Sequence, residues 1–188
     1  MKRVGMSLAD VAAVVAGHLK THGIDVVVVG GSAITSYVPT VHTSMDVDFA
    51  LTSDADRRRI AIALKELGFE PRGRIFVHPD SEYTVDFVAE RPYIDRAPVD
   101  DFAEIQTAYG RYRVLRLEDA IADRVAAFLH WSDSEALDVA QRAAAAARDR
   151  LTWEHIDASL RKLDTTSRDG AVRMGIARDR LRRALDDT

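Results

Sequence analysis

The sequence contains no cysteine and no long apolar run. Zero cysteines in 188 residues exclude disulfide bonds, cysteine nucleophiles and thiolate zinc sites, and fit a reducing compartment. No apolar stretch approaches the roughly 20 residues that a membrane-spanning helix needs. The opening Met1-Lys2-Arg3 leads into a capped helix, without the apolar core and cleavage site of a secretion signal. These absences predict a cytoplasmic protein that does not bind a membrane.

What is present is the composition of a folded globular protein. The apolar fraction is 47% and the charged fraction 30%, which are typical values for such proteins. A chain of 188 residues fits one ordinary domain or two small lobes. The formal charge of −4 is uneven, because residues 139–188 hold 11 Lys or Arg against 8 Asp or Glu. The C-terminal part is therefore the better candidate for binding a polyanion, although solvated helices often carry a surplus this small.

The stretch of residues 25–51, which reads DVVVVGGSAITSYVPTVHTSMDVDFAL, organises the rest of the chain. Its four consecutive valines predict a buried strand, because a half-solvated strand would alternate apolar with polar residues. Gly30 and Gly31 end that strand. Ser32 is then predicted to cap a helix over residues 33–37, whose free amides and positive dipole end suit a phosphate group.

Two aspartates alternate with apolar residues in the second strand of this stretch. With a side-chain period of two, Ser44, Asp46 and Asp48 lie on one face of the strand and the apolar residues on the other. Neighbouring carboxylates repel one another, and a cation between them is the simplest relief. Mg²⁺ prefers such oxygen ligands together with substrate phosphates. The alternative is a solvated polar face of the strand.

A third aspartate follows on a later apolar strand. Within residues 82–88, Asp86 points away from the side that carries the aromatic residues. A carboxylate in these surroundings needs a partner, because a buried charge without one is costly. An arginine could serve in place of a metal. Three aspartates from two adjacent strands would form the ligand set of two-metal phosphoryl or nucleotidyl transfer.

The strand signals disappear after Leu117, and the remaining sequence predicts about four helices. The chain is therefore predicted to be α+β, with a sheet-bearing lobe over residues 1–117, a helical lobe over residues 118–188 and a ligand cleft between them. Arg124 falls at the edge of the apolar face of the first of these helices. From there, a long cation can reach across the cleft to a triphosphate and stabilise developing negative charge.

These motifs carry a family resemblance. Gly30-Gly31-Ser32, the run from Ser44 to Asp48 and the later Asp86 resemble the polymerase-β-type nucleotidyltransferase superfamily. Within that superfamily the chain is similar to the AbiEii and MenT group of bacterial toxins. The resemblance implies a polymerase-β-like lobe with a mixed sheet, two Mg²⁺ ions held by the three aspartates, and Asp86 as the group that activates the acceptor hydroxyl. It assigns nucleotide binding to Gly30, Gly31, Ser32 and Ser44.

The chain departs from the toxin group at two cations. The group often has a basic residue before the paired acids, where this chain has His42, so the charge there depends on pH. The group commonly uses lysine on the helix that here carries Arg124, with an acid near Asp138 on the next helix. Arginine neutralises phosphate but does not donate a proton in the normal pH range. The resemblance makes Arg124 and Asp138 catalytic, and the structural alternative is an ion pair of Arg124 with Asp138 or Asp123.

By resemblance, the protein is expected to transfer a nucleoside monophosphate from an NTP to RNA, most plausibly the 3′ end of tRNA. Growth arrest would follow, and a cognate antitoxin protein would restrain the enzyme. Ser32 and Thr40 are candidate sites of regulatory phosphorylation, because a dianion there would repel the incoming NTP. The alternatives are a small-molecule nucleotidyltransferase of the antibiotic-modifying kind and a catalytically silent nucleotidyltransferase-like module that binds a protein partner.

One pair of potential metal ligands lies outside these motifs. His18 and His22 are four residues apart near the end of the first predicted helix, a spacing that could bind a metal ion. Histidines in such a place usually belong to the solvated surface, and this is the expectation here.

Overall fold

The computed structural model describes residues 5–186, which form seven α-helices and nine β-strands. Residues 1–4 and 187–188 lie outside the described residues. They include the start of the N-terminal segment that was predicted not to be a secretion signal, and the outer ends of the two predicted lobes. The helices are α1 Leu8–Thr21, α2 Gly30–Tyr37, α3 Arg57–Glu66, α4 Leu117–Trp131, α5 Ser134–Ala146, α6 Trp153–Leu160 and α7 Arg168–Asp186. The strands are β1 Val26–Val28, β2 Asp46–Leu51, β3 Glu70–Arg72, β4 Ile75–Val77, β5 Thr84–Ala89, β6 Tyr93–Ile94, β7 Ala97–Pro98, β8 Phe102–Thr107 and β9 Gly110–Leu115. Within residues 5–186, no helix combines the length and the apolar character that crossing a bilayer requires.

Seven strands form one mixed sheet in the order β3-β4-β5-β2-β1-β9-β8, which confirms the predicted mixed sheet. The pairs β2 with β5 and β1 with β9 are parallel. The other four pairs of this sheet are antiparallel, and β6 and β7 form a separate two-stranded sheet. The strand that carries the paired aspartates therefore lies beside the strand that carries Asp86, near the centre of the sheet.

Alternation along β2 and β5 sorts their side chains between the two faces of the sheet. Val47 and Phe49 are fully buried on one face. There the Phe49 and Phe87 rings lie with their centroids 5.8 Å apart, and the Phe87 and Phe76 rings 5.9 Å apart. The apolar face is thus filled by packed aromatic side chains, which contribute stability beyond the area that they bury. Because successive side chains point to opposite faces, the aspartates of both strands share the other face.

The chain after Leu117 is helical, as predicted. α4 packs against α5, α6 and α7, and also against α2 of the preceding segment. The buried Asp119 of α4 accepts hydrogen bonds from the Ser159 hydroxyl and the Lys162 ammonium, both at 2.7 Å. Such a charge-assisted contact joins α4 to the end of α6. The buried apolar side chains form one continuous core that includes residues on both sides of Leu117.

Candidate active site

The three aspartates come together because β2 and β5 pair in parallel. In the register of this pair, Asp46 lies opposite Thr84 and Asp48 lies directly opposite Asp86. Asp46 is exposed at the strand end, Asp48 is half-buried, and Asp86 is only 3% exposed. The exposure of the carboxylates therefore decreases from the sheet end towards its interior, so that a ligand from solvent would meet Asp46 first.

Asp48 is the electrostatic centre of the group. Burial, followed by the neighbouring charges of Asp46 and Asp86, raises the pKa of its carboxyl to about 7, while the Arg124 guanidinium opposes this rise. A carboxylate in such surroundings is unstable as an anion, and it gains stability from any cation that enters. Three carboxylates with one of them so destabilised fit a divalent metal ion, since oxygen donors of this kind are the ligands that Mg²⁺ takes in proteins.

Asp86 and Asp46 each have a partner within the protein. The buried Asp86 carboxylate lies 2.9 Å from a guanidinium nitrogen of Arg74, whose side chain is 82% exposed. The other Asp86 oxygen accepts a hydrogen bond from the Phe87 amide at 2.9 Å. The Thr84 hydroxyl donates a short hydrogen bond to Asp46. The arginine partner that the sequence allowed for Asp86 is therefore present, on a side chain exposed enough to move when a metal ion binds.

Gly30 and Gly31 bring backbone close to the acids. Gly30 has a φ of +63°, the left-handed conformation that favours glycine. A Cβ atom added there would lie 3.0 Å from an Asp48 carboxylate oxygen and 3.8 Å from an Arg124 nitrogen. A Cβ added to Gly31 would lie 2.8 Å from the ring nitrogen of His42. Both glycines thus leave space that a larger residue would take from the site.

Ser32 does not cap the helix, contrary to the prediction. α2 begins at Gly30 with Val29 as its N-cap residue, so Ser32 lies in the first turn. Its fully buried hydroxyl donates to the Val29 carbonyl at 2.8 Å and accepts from the Asp48 amide at 3.0 Å. Ser32 therefore fixes the strand backbone at Asp48. Its regulatory phosphorylation stays a prediction; the Ser32 hydroxyl is buried and bonded in this structure, whereas Thr40 is exposed.

Thr35 is a residue of the site that sequence reasoning missed. Its buried hydroxyl lies 3.2 Å from the Gly31 carbonyl and 3.0 Å from the His42 carbonyl, and it accepts from the Ser44 amide at 3.1 Å. Ser44 in turn contacts the backbone of Asp46 through its hydroxyl. These contacts tie the loop before β2 to α2. In the sequence, Thr35 is only a threonine about one helical turn after the two glycines. This spacing is not distinctive enough to mark it as a site residue.

His42 lies over Gly31 at the edge of the site. Burial, followed by the Arg124 and Arg142 guanidinium groups, lowers the pKa of its imidazole, and Glu135 opposes this only in part. The sequence predicted a charge at this position that depends on pH. The structure instead favours a neutral imidazole at pH 7, because a positive ring would lose hydration and meet two cations.

Arg124 reaches the site, whereas Asp138, which was predicted to be catalytic with it, pairs with another arginine. Its guanidinium donates to Asp123 at 2.6 Å, which is one of the two ion pairs that the sequence left open. Asp138 on α5 instead binds Arg180 of α7 at 2.6 Å and has a half-exposed side chain. The Arg124 Nε atom is buried, and within residues 5–186 it has no hydrogen-bond partner. A guanidinium nitrogen of Arg124 lies near Gly30, next to the Asp48 carboxylate, while Asp138 belongs to the packing of α5 on α7.

Comparison with known proteins identifies the fold. No family model matches the chain, and no curated protein matches it. Among solved structures, it resembles an antigenic nucleotidyltransferase-like protein from Paracoccidioides brasiliensis, with 16% identity, 97% of this chain and 94% of that chain covered, and a TM-score of 0.58. This likeness confirms the predicted nucleotidyltransferase-like α+β fold.

Weaker likenesses are found to two structures of the antibiotic-resistance factor ANT(2″)-Ia. One is a solution structure, with 16% identity, 89% of this chain and 87% of that chain covered, and a TM-score of 0.39. The other is a crystal structure in complex with adenylyl-2″-tobramycin, with 18% identity, 90% and 93% covered, and a TM-score of 0.44. TM-scores this low do not bear on the function of this chain.

Proposed function

We propose that the protein is a Mg²⁺-dependent nucleotidyltransferase that moves a nucleoside monophosphate from an NTP to a hydroxyl group. The observation that carries the proposal is the pairing of Asp48 with Asp86 across adjacent parallel strands, with Asp46 two residues away and the Gly30 turn within contact of Asp48. Acids from two strands beside a helix N-terminus provide both parts of such a site, namely metal ligands and a phosphate cradle.

Asp46, Asp48 and Asp86 would hold the metal. Bound Mg²⁺ would neutralise phosphate oxygens and supply the positive charge that nucleotidyl transfer requires. Asp86 is also the group proposed to accept the proton of the attacking hydroxyl, since it is buried beside Asp48 and its carboxylate has a movable partner in Arg74. Ser32 acts on the metal site through the backbone, because its hydroxyl holds the Asp48 amide.

The triphosphate would lie at the start of α2. The first amides of a helix have no partner within the helix, and such amides are suited to bind phosphate oxygens. Arg124 would stabilise the charge that develops on the departing pyrophosphate, since its guanidinium lies close to the Gly30 turn and to Asp48. The site would thus lie where the lobe of residues 1–117 meets the helical lobe of residues 118–188.

The acceptor that we propose is RNA, namely the 3′ end of tRNA, with a cognate antitoxin protein as the restraining partner. This part is supported by the sequence resemblance to the toxin group. The basic helix α7 supports an RNA acceptor less than the composition of the helix suggested. Arg173 donates to the carbonyls at the end of α4, Arg178 pairs with Asp157, and Arg182 lies 4.4 Å from the Trp153 ring centroid. These arginines serve the packing of the helices.

Transfer to purified acceptors tests the proposal. The protein is incubated with Mg²⁺, total tRNA and each labelled NTP in turn, beside Asp46→Ala and Asp48→Ala variants and an Asp179→Asn control on the exposed side of α7. Label on tRNA is expected from the wild type and the control, and not from the two site variants. A parallel incubation contains an aminoglycoside as the acceptor. Label on the aminoglycoside and not on tRNA would show that the acceptor is a small molecule and not RNA. Mg²⁺-dependent NTP binding without transfer to either acceptor would indicate a silent module and contradict the proposed activity.

A further inference from the structure

A cluster of two histidines and one glutamate lies between α1 and α3, away from the aspartates. His18 and His22, one helical turn apart at the end of α1, meet the Glu66 carboxylate from the end of α3. One Glu66 oxygen lies 3.3 Å from the His18 Nε2 atom and 3.1 Å from the His22 Nε2 atom. One ligand atom from each residue can be chosen so that all three lie within 4.8 Å of one another. The surface pair expected from the sequence is therefore completed by a third donor 44 residues later in the chain.

Two distances in this cluster match the edges of a metal coordination sphere. Ligands about 2.0–2.2 Å from a tetrahedral Zn²⁺ ion lie about 3.3 Å from one another. The separations of the Glu66 oxygen from the His18 and His22 Nε2 atoms, 3.3 and 3.1 Å, are close to this value. The histidine rings themselves are tilted by 55° with centroids 4.8 Å apart, so they do not stack face to face. All three ligand atoms lie within 4.8 Å of one another, so rotation of the side chains would bring them around one ion.

His18 has a buried ring nitrogen that no described side chain satisfies, which points to a bound ligand. Its Nε2 atom is buried, and within residues 5–186 it has no hydrogen-bond partner of acceptable geometry, although it lies close to Glu66. A buried polar atom without a partner is costly, and a coordinate bond to a metal would satisfy it. The side chains of both histidines are less than one-third exposed, while that of Glu66 is 52% exposed. The site is thus partly enclosed by protein and open to solvent on the Glu66 side.

The nearby cation does not compete for the proposed ligand atoms. Arg59 of α3 donates to the backbone carbonyl of His22 at 3.2 Å and to that of Asp54 at 3.1 Å. Its guanidinium is therefore held by carbonyl oxygens, which leaves the Glu66 carboxylate available. Two imidazoles and one carboxylate with a fourth position open to water are a recurrent ligand set for zinc.

We propose that His18, His22 and Glu66 bind one divalent transition-metal ion of the Zn²⁺ class, with water in the fourth position. Imidazole nitrogen selects such ions over Mg²⁺, so this site and the aspartates would discriminate between the two kinds of metal. The bound ion would fasten the end of α1 to the end of α3. Because a metal that binds the folded chain stabilises it, the ion would raise the melting temperature without taking part in nucleotidyl transfer.

Titration of the untagged, metal-free protein with Co²⁺ tests the site, because cobalt in a tetrahedral site absorbs visible light strongly. The wild type is expected to bind one Co²⁺ with this absorption, and Zn²⁺ is expected to displace it. Glu66→Gln and His22→Gln should weaken Co²⁺ binding by more than about 10-fold, since even residues that only orient metal ligands are worth about 10–100-fold in affinity. The Glu66→Gln variant changes a half-exposed carboxylate to its amide and should leave the fold intact by circular dichroism.

Two matched controls separate this site from others. His155→Gln changes an exposed histidine on α6, and Asp48→Asn changes the proposed Mg²⁺ site. Both should retain the cobalt absorption and the affinity of the wild type. Equal Co²⁺ binding by the wild type, Glu66→Gln and His22→Gln would overturn the proposal, and so would the absence of any tetrahedral absorption from the wild type. In either case Glu66 would be only a hydrogen-bond partner of His22 and a neighbour of His18.

Discussion

Replacing Asp48 with asparagine should stabilise the metal-free protein at alkaline pH, although it removes a proposed metal ligand. The pKa of Asp48 is raised from 3.8 to about 7, by burial and by two neighbouring carboxylates. In the interval between these values the folded protein holds a proton that the unfolded chain has released. The free energy of unfolding therefore falls as the pH rises through this interval, and above pH 7 the whole penalty is present.

The size of the effect follows from the shift. Each pKa unit corresponds to about 1.4 kcal/mol, so a shift of about three units costs about 4 kcal/mol at pH 8. About 3 kcal/mol of this should be lost between pH 5 and pH 8, because the folded Asp48 titrates near the upper end of that range. Asparagine has nearly the same shape as aspartate and no charge to desolvate. The Asp48→Asn variant should therefore lack this decline.

Urea unfolding of the metal-free protein at pH 5, 6, 7 and 8, followed by circular dichroism with a chelator present, measures the effect. The wild-type and Asp48→Asn stabilities should diverge as the pH rises, with Asp48→Asn the more stable at pH 8. The Asp179→Asn control should follow the wild type. Added Mg²⁺ should stabilise the wild type at pH 8 and leave Asp48→Asn almost unchanged. Parallel pH profiles for the wild type and Asp48→Asn would refute the electrostatic account of the site.

Three further substitutions test other parts of the site. Gly30→Ala should lower both transfer activity and Mg²⁺ affinity, because residue 30 has a positive φ and the added Cβ would meet Asp48. The control Gly17→Ala places a Cβ in open space on α1, and it should stabilise the fold by about 0.5–1 kcal/mol in urea unfolding. Equal activity in both glycine variants would contradict the close approach. Arg124→Gln should lower kcat by about 10²–10³-fold in the transfer assay with little loss of stability, and an unchanged kcat would leave Arg124 as an ion-pair partner only. Arg74→Gln should tighten Mg²⁺ binding measured by calorimetry, because it removes the cation that competes for the buried carboxylate, and weaker binding would show that the arginine supports the metal site instead.

The central part of the fold was predictable from local patterns. Consecutive valines before two glycines indicated β1 and a helix after it, and the alternation around Asp46 and Asp48 indicated which side chains share a face. Periodicity alone also gave the four helices after Leu117. These features depend on residues close together in the sequence, where spacing determines direction.

The partners of these residues were not predictable in the same way. Nothing local distinguishes Asp123 from Asp138 as the partner of Arg124, and the pairing of Asp138 with Arg180 depends on how α5 packs on α7. The sequence suited Ser32 to a helix cap, but α2 begins at Gly30, two residues before Ser32, and the Ser32 hydroxyl accepts from the Asp48 amide of β2. In each case a tertiary contact decided the role of a side chain whose sequence pattern allowed several.

The parallel pairing of β2 with β5 also bears on when the site forms during synthesis. Asp46 and Asp86 are separated by α3, β3 and β4, because parallel strands require a long connection. At about 5–20 residues per second, the ribosome adds Asp86 about 2–8 s after Asp46, and Arg124 a similar interval later. A nascent chain that stops before β5 has its paired aspartates at an unpaired strand edge, with neither the third acid nor the cation. The proposed active site is therefore completed late in translation, after most of the sheet that supports it has been made.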